Sequence, residues 1–266
     1  MFDEGSDRFA EWTPLLWAPA GAALAERARP GPGELVLDAC CGGGASALPA
    51  AAAVGRSGRV DAVDLAGRLL RLGRERAAEA GWDNVRFVHE DITQWLPEGT
   101  TATYDVVQCG FGVFFLPDMD TECDRLAGLL RPGGRFALSC WAEGSLESVF
   151  HPFFAAAVEQ RPELAAQTKP RQSANSERLL TETSVHDWLL ARGLRDPQVG
   201  RHELNVPIDA EMGWRFLLSG PAKAVLAGLD EDALARVRSS FTARFETAGV
   251  TILHAPFITA AGTRTR

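Results

Sequence analysis

The sequence predicts an α/β protein with a doubly wound, Rossmann-like parallel sheet that carries helices on both faces. Two observations predict this fold. Short apolar segments alternate with helical segments five times within the first 140 or so residues, which is the pattern of consecutive βα units. The first apolar segment, at 34–38, leads directly into the glycines at 42–44, and a glycine-rich turn between a strand and a helix is typical of such sheets.

The five strands are predicted from runs rich in valine and leucine, the composition of strands that are buried on both faces. They span residues 34–38, 59–64, 84–89, 104–108 and 135–140. The helices between them are expected at about 46–54, 69–79 and 118–130. The last of these helices is closed by the Arg-Pro-Gly-Gly turn at 131–134, because proline and glycine interrupt a helix.

The segments that flank this core are less regular. Residues 9–27 are predicted to form a helix broken by Pro14 and Pro19. Further helices are expected at about 149–159, 179–192, 211–226 and 230–247, with a polar stretch at 167–177 and strands at 199–206 and 249–259. We expect a single domain (1–266): an N-terminal helical cap (1–30), a ligand-binding core (31–141), a helical lid over the ligand (142–195) and the rest of the sheet with its helices (196–266).

Composition narrows the possible functions. Of the 266 residues, 46% are hydrophobic and 23% are charged, so a globular domain is expected rather than disorder. The net charge of −8 does not suit a nucleic-acid binder, and no basic cluster indicates a membrane surface. Five cysteines without a C-x-x-C pair indicate reduced thiols in a cytoplasmic protein. No stretch is apolar and long enough to predict membrane insertion.

The main chemical signal is the run from Asp38 to Gly44, where the first strand turns into the first helix. Glycines there let the backbone approach a ligand, and the helix N-terminus favours polar or anionic groups. Gly42 and Gly44, followed by Ala47, also match a dinucleotide-binding loop, with Asp64 about 20 residues further on. Taken alone, this loop also fits a nicotinamide-dependent enzyme.

Three further features favour a different cofactor. Asp38 precedes the glycines, Asp91 follows the third strand, and the run Cys109–Asp118 lies between the fourth strand and the next helix. In this order the motifs resemble the class I S-adenosyl-L-methionine-dependent methyltransferases, closest to the small-molecule branch that includes the ubiquinone/menaquinone C-methyltransferases. The resemblance is strong over residues 34–141. It implies S-adenosyl-L-methionine as cofactor and a seven-stranded sheet of order 3-2-1-4-5-7-6 whose last strand is antiparallel.

The resemblance also implies cofactor contacts for ten residues. Gly42 and Gly44 would lie beside the methionine part, and Asp64 would accept hydrogen bonds from both ribose hydroxyls. The other contacts are implied for Asp38, Ala39 and Cys40 in the loop, Leu65 and Ile92 on the adenine ring, Asp91 at the adenine amino group and Cys109 beside the sulfonium. Cys40 departs from the family, which usually has a glycine there, and it makes the loop less open.

The methyl acceptor is expected to be a small, largely apolar molecule of secondary metabolism, because aromatic residues concentrate in the segments that would cover the cofactor. The predicted pocket residues are Trp12, Trp17, Phe111, Phe114, Trp141 and Phe150. His151, after the fifth strand, is the candidate base for a hydroxyl or an acidic carbon. No metal is expected, since Asp118 and Asp120 lie too far past the fourth strand for the metal site of catechol-type O-methyltransferases.

Two other functions stay open at this point. One is a protein of the same fold that keeps the cofactor and catalyses another step, such as a cyclisation. The other is an NAD(P)-dependent oxidoreductase, although not a short-chain dehydrogenase, because the only tyrosine, Tyr104, is followed four residues later by Gln108 and not by lysine. The sequence predicts neither the oligomeric state nor the acceptor atom.

Overall fold

The predicted sheet is present in the computed structural model of the protein, which describes residues 6–97, 104–166 and 171–265. Its strands are β1 (Leu35–Ala39), β2 (Arg59–Asp64), β3 (Val85–His89), β4 (Tyr104–Gly110), β5 (Leu130–Trp141), β6 (Leu194–His202) and β9 (Phe257–Arg264). A separate small sheet pairs β7 (Asn205–Pro207) with β8 (Ile252–His254).

The order of the main sheet is β3-β2-β1-β4-β5-β9-β6. Strands β1 to β5 pair in parallel, whereas β9 runs antiparallel to both of its neighbours, β5 and β6. Because β9 is the seventh strand of this sheet along the chain, the predicted order 3-2-1-4-5-7-6 and the antiparallel last strand are confirmed.

The helices account for most of the remaining chain. They are α1 (Ser6–Glu11), α2 (Ala18–Ala28), α3 (Ala47–Val54), α4 (Gly67–Glu79), α5 (Met119–Gly128), α6 (Glu147–Gln160), α7 (Arg171–Glu177), α8 (Glu182–Ala191), α9 (Ala210–Ser219) and α10 (Glu231–Thr247). A π-turn (Thr13–Trp17) joins α1 to α2, and short 3-10 turns lie at Val113–Phe115, Pro162–Ala166 and Pro221–Leu226. Within the described ranges, no helix is both long enough and apolar enough to span a bilayer.

Helices cover the sheet on both faces, as its apolar strands require. Val36 and Leu37 of β1 point to opposite faces and are both fully buried. On one face, α2, α3 and α4 pack with residues such as Leu24. On the other face, α5 and α8 pack with Leu126 and Leu189. The arrangement is the doubly wound α/β architecture that the sequence predicts.

A third apolar cluster lies at the carboxyl end of β5. It joins Trp12 to Phe153 of α6, Trp214 of α9 and Phe241 of α10. The chain leaves the end of β6, forms α9 and α10, and returns to the start of β9, which pairs with the last residue of β5. We call this unit, made of residues 12–17, α6, α9 and α10, the aromatic cap.

Four predicted elements are wrong in their bounds. The fifth strand, predicted at 135–140 after a turn at 131–134, begins at Leu130 and includes that turn. The strand predicted at 249–259 is two strands, β8 and β9, because Pro256 between them has no amide hydrogen for a ladder. The strand predicted at 199–206 is likewise divided, since β6 ends at His202. The helix predicted at 211–226 ends at Ser219, where Gly220 and Pro221 stop it and a 3-10 turn follows. The polar stretch 167–177 contains α7, and its residues 167–170 lie outside the described residues.

Candidate active site

The loop between β1 and α3 bends through left-handed backbone at Cys40 (φ 58°), Gly42 (φ 53°) and Gly44 (φ 81°). Gly44 has a second reason to be glycine, because a Cβ there would lie 3.0 Å from the ring of Phe87. A non-glycine residue such as Cys40 costs ~1–2 kcal/mol in this conformation. The surrounding structure therefore holds the loop in a shape that the backbone does not prefer, at the place where the sequence predicts a ligand.

Asp64, at the end of β2, fixes the same loop. Its Oδ2 accepts a hydrogen bond from the backbone N–H of Gly42 (2.8 Å), and its Oδ1 accepts one from Ala66 (2.7 Å). Burial raises the pKa of Asp64, and these backbone hydrogen bonds oppose the rise. Since a carboxylate has about four lone-pair positions, both oxygens keep the capacity to accept from a ligand.

An apolar surface lies beside Asp64. Leu65 is 65% exposed, which is unusual for a large apolar side chain, whereas Ile92 after β3 is buried. The carbonyl of Leu65 contacts His89 Nε2 (2.9 Å), which ties the ends of β2 and β3 together. The structure thus brings the two predicted adenine-packing residues to neighbouring strand ends.

Asp91 lies at the same edge and shapes its own turn. Its Oδ1 accepts from both the backbone N–H and the hydroxyl of Thr93 (2.9 Å each). These bonds use one of the two carboxylate oxygens. The other oxygen has acceptor capacity for a donor such as an exocyclic amino group.

Asp38 is the most deeply buried carboxyl of the loop region. It is fully buried in β1, and its oxygens accept from the Ser46 hydroxyl (3.1 and 2.8 Å). Burial raises its pKa from 3.8 to about 7. Gln108 pairs with Asp38 in register on β4, and its buried side-chain amide lies near enough to the Asp38 carboxyl to oppose the rise of that pKa, although neither amide atom makes a well-aligned hydrogen bond among the described residues. Buried polar groups of this kind are rare and call for a partner.

The end of β4 is packed tightly against the loop. Gly112 has no room for a side chain, because a Cβ there would lie 2.6 Å from Cys40 Cβ and 2.7 Å from Cys109 Sγ. The neighbouring Cys109 thiol and burial raise the pKa of Cys40 well above its usual value, so Cys40 stays a neutral thiol. Ala39, the last residue of β1, is fully buried and belongs to the core of the sheet.

Three of the six predicted pocket residues meet beside this point. The ring centroids of Phe111 and Trp141 are 4.3 Å apart, and Trp17 lies 5.8 Å and 6.0 Å from them. Phe111 directly follows β4 with φ 52°, so a strained backbone turns it toward the cap. The three rings form one aromatic wall that begins two residues after Cys109.

The other three pocket residues lie elsewhere. Trp12 packs edge-on against Phe216 (4.9 Å), which in turn contacts Phe150 (6.5 Å), so both predicted residues belong to the aromatic cap. Phe114 is 3% exposed and packs against Phe115 in the core of the sheet. The structure therefore does not bring Phe114 to the aromatic wall.

His151 lies on α6 with an exposed side chain, one residue after Phe150. Its role as a base stays a prediction. Among the described residues, no group of three or more histidine, cysteine, aspartate or glutamate side chains is arranged to hold a metal.

Sequence reasoning missed two residues of the site. Arg76 of α4 donates to the carbonyl of Gly43 (3.3 Å) and to the hydroxyl of Thr13 (3.1 Å), so it links the glycine loop to the π-turn. No pattern in the sequence indicates this contact, because an arginine on a helix is most often solvated. Gln108 was detectable, since it is a polar residue within the apolar run of β4.

The hydrogen-bond acceptors and the apolar surface of this edge suit S-adenosyl-L-methionine. Asp64 and Asp91 keep acceptor positions for hydroxyl and amino groups, and Leu65 exposes an apolar face. The left-handed loop brings backbone rather than side chains to the ligand side.

Comparison with known proteins decides the family. The model of the ubiE/COQ5 methyltransferase family matches residues 20–166. The chain belongs to this family. The aklanonic acid methyltransferase DauC of Streptomyces sp. (strain C5) is 33% identical over 138 residues, which are 52% of this chain and 62% of that protein. Nocamycin O-methyltransferase of Saccharothrix syringae is 33% identical over 216 residues, which are 76% of this chain and 74% of that protein.

A solved structure supports the same fold. Phosphoethanolamine N-methyltransferase 2 of Haemonchus contortus, in complex with S-adenosyl-L-methionine, superposes with a TM-score of 0.52 at 17% identity, over 92% of this chain and 52% of that chain. The ubiE/COQ5 methyltransferase family uses S-adenosyl-L-methionine, which confirms the expected cofactor and removes the nicotinamide alternative. The match spans less than two thirds of DauC.

Proposed function

We propose that this member of the ubiE/COQ5 methyltransferase family transfers a methyl group from S-adenosyl-L-methionine to C, N or O of a small, largely apolar molecule in secondary metabolism. The observation that carries the proposal is the aromatic wall. Phe111, Trp141 and Trp17 lie within 6.0 Å of one another and adjoin the loop that suits the cofactor. Aromatic rings beside one wall of a cofactor site favour a flat apolar acceptor.

The named relatives support this class of acceptor. The two sequence relatives carry the names of small molecules, aklanonic acid and nocamycin. The second of these matches extends over 76% of the chain, so it includes segments outside the cofactor core. A small-molecule acceptor is therefore the class that the likeness favours.

The residues of this chain act by binding and alignment. S-adenosyl-L-methionine, when bound, supplies an electrophilic methyl group. Asp64 would accept from the ribose, Leu65 and Ile92 would pack on the adenine, and the loop at 40–44 would admit the methionine part. The aromatic wall orients the acceptor and excludes water, so that its nucleophilic atom reaches the methyl group in line. Electron-rich rings also stabilise a nearby cation.

A proton must leave when the acceptor is a hydroxyl or an acidic carbon. His151 is the proposed base for such an acceptor, and loss of a general base costs ~10²–10⁴-fold in rate. His151→Ala is compared with Glu147→Ala, an exposed residue on the same helix, in single-turnover assays. A His151→Ala enzyme that keeps full activity removes the residue from the reaction and favours an amine or an electron-rich ring as acceptor.

The proposed activity is tested with S-adenosyl-L-methionine labelled in the methyl group. The purified protein is incubated with a panel of small aromatic and polycyclic molecules, and extracts are analysed for label. Transfer to at least one of them, lost in Asp64→Ala, is the expected result. Binding of the cofactor without transfer to any acceptor contradicts methyl transfer and favours a non-methylating step, such as a cyclisation.

A further inference from the structure

Two indole N–H groups of the aromatic cap lack hydrogen-bond partners. Trp12 Nε1 and Trp17 Nε1 are both inaccessible to solvent, and neither has a partner among the described residues. An unpaired buried donor costs ~1–3 kcal/mol. Such groups in a well-packed region are explained when a ligand supplies the acceptor.

A single π-turn presents both indoles. The carbonyl of Trp12 accepts from the backbone N–H of Leu16 (2.8 Å) and also from that of Trp17 (3.3 Å), and the second, i→i+5 bond places Trp12 and Trp17 one turn apart. In an α-helix, residues five apart lie ~140° apart around the axis, because each residue adds 100°. The wider turn therefore brings the two side chains nearer to one side. Isolated π-turns are frequent at functional sites.

The surroundings of the two indoles are apolar and aromatic. Trp17 stacks on Phe9 (4.7 Å, interplanar angle 10°) and adjoins the aromatic wall, while Trp12 meets the edge of Phe216. The buried hydroxyls of Ser145 and Ser148, just before α6 and in its first turn, also have no partner among the described residues. Aromatic walls with a few isolated polar groups are the usual composition of a small-molecule pocket.

Arg76 fixes the π-turn relative to the cofactor loop. It donates to Thr13 within the turn and to Gly43 within the loop. The indoles therefore have a defined position with respect to the loop, and a molecule held by them also has a defined position with respect to the methyl group.

We propose that the indole N–H groups of Trp12 and Trp17 donate hydrogen bonds to oxygen atoms of the methyl acceptor and determine its class. The acceptor is a flat aromatic molecule that carries carbonyl or hydroxyl oxygens, and a hydrocarbon of the same shape is rejected. This inference rests on the proposed function, because it concerns the acceptor of the same site. A site built to donate hydrogen bonds discriminates strongly against an analogue without the acceptor atom, since its donors are then left unpaired.

The test uses 9-fluorenone and fluorene, two flat tricycles that differ by one carbonyl oxygen. Indole N–H signals of the ¹⁵N-labelled protein are assigned from the variants Trp12→Phe, Trp17→Phe and Trp95→Phe. Trp95 Nε1 is also buried, but it lies in the core of the sheet beside the side chain of Tyr104, so it is the control. With 9-fluorenone, at least one of the signals of Trp12 and Trp17 moves downfield and the signal of Trp95 does not. Fluorene leaves all three unchanged.

Affinity provides a second readout. Each of Trp12→Phe and Trp17→Phe keeps an aromatic ring but removes the donor, so at least one of them weakens 9-fluorenone binding ~3–10-fold. Where a variant folds poorly, triple-resonance experiments on the wild type assign the indole signals instead, so the wild-type spectra still decide the question. Equal binding of both tricycles, binding of neither, or indole signals of Trp12 and Trp17 that both stay in place overturns the inference. Titration of the same samples with S-adenosylhomocysteine tests the proposed function separately, because it does not involve the acceptor.

Discussion

The two sides of the site are built by different means. On the cofactor side, the residues come from the ends of strands β1 to β4, between positions 38 and 109, and backbone hydrogen bonds and left-handed turns fix the loop at 40–44. On the acceptor side, the rings come from segments that are far apart in the sequence. They are Trp12, Trp17, Phe111, Trp141, Phe150 and Phe216.

This difference predicts different tolerance to change. Hydrogen bonds such as those of Asp64 need a defined distance and direction. Ring contacts between 4.3 and 6.5 Å depend on volume and shape, which many combinations of residues satisfy. We therefore expect the cofactor side to reject added atoms and the aromatic cap to accept exchanges among rings, which allows one fold to serve different acceptors.

The largest effect is expected from the buried carboxyl of Asp38. Because burial raises its pKa from 3.8 to about 7, the folded protein binds a proton more readily than the unfolded chain does. Its contribution to stability is full below about pH 4 and is lost as the pH rises to about 7, at up to ~1.4 kcal/mol per pH unit.

Asp38→Asn removes this titration while it keeps an acceptor for Ser46. Urea unfolding of the wild type and of Asp38→Asn between pH 4 and 8 measures the contribution of this titration to the free energy of unfolding. We expect the free energy of unfolding of the wild type, relative to the variant, to fall across this window and then to level off. Parallel curves across the window would show that Asp38 has no shifted pKa and that the cofactor side contains no costly buried charge.

Crowding at Gly112 gives the next effect. Its φ is −104°, so Gly112→Ala adds no backbone strain, but the new methyl group meets Cys40 and Cys109. Overpacking costs ~1–3 kcal/mol. Gly128→Ala is the matched control, because no atom of the described residues lies within 4 Å of its added Cβ.

Cys40→Gly sharpens this test, because it removes the atoms that lie nearest to the new methyl group. In the Gly112→Ala background it should recover part of the lost stability, and the two changes should not be additive. Chemical denaturation of the wild type, the two single variants and the double variant measures the four free energies of unfolding. If Gly112→Ala lowers the free energy of unfolding no more than Gly128→Ala does, the cofactor side is not tightly packed. The proposed difference between the cofactor side and the aromatic cap is then wrong.

The smallest effect concerns the link between the two sides. Arg76→Ala removes the hydrogen bonds to Thr13 and Gly43, each worth ~0.5–1.5 kcal/mol. Amide hydrogen exchange should become faster in residues 12–17 and 42–44 and stay unchanged in β4. Arg71→Ala, on the exposed side of the same helix, should change neither segment. Equal exchange in Arg76→Ala and the wild type would mean that the two sides are independent.

The sequence predicts the cofactor side well for a physical reason. Its signals are local features of the sequence: strand ends, glycine turns and acids at fixed spacing. A parallel sheet brings the carboxyl ends of its strands to one edge, and this does not depend on which side chains pack together. The positions of Gly42, Gly44, Asp64 and Asp91 follow from this rule, and the order of the sheet strands follows from the family resemblance.

The aromatic cap could not be predicted to the same extent. Which rings meet depends on contacts between α6, α9, α10 and the π-turn, and these contacts have no periodic signature. Phe114 illustrates this, because it lies three residues after Phe111 and yet packs in the core of the sheet. The division of the last predicted strand at Pro256 was detectable, since proline cannot donate within a ladder.

The central claim is that Asp64 and the glycine loop hold S-adenosyl-L-methionine. Calorimetric titration with S-adenosylhomocysteine tests it most directly, on the wild type, Asp64→Ala and Asp64→Asn, with Asp83→Ala as a control at an exposed carboxylate of the sheet's other edge. We expect binding at one site per chain, at least tenfold weaker in Asp64→Ala because charge-assisted hydrogen bonds are worth ~1.5–3 kcal/mol each. The affinity of Asp64→Asn should fall by a smaller factor, and the affinity of Asp83→Ala should equal that of the wild type. A wild type that does not bind, or an Asp64→Ala variant that binds as the wild type does, would contradict the account.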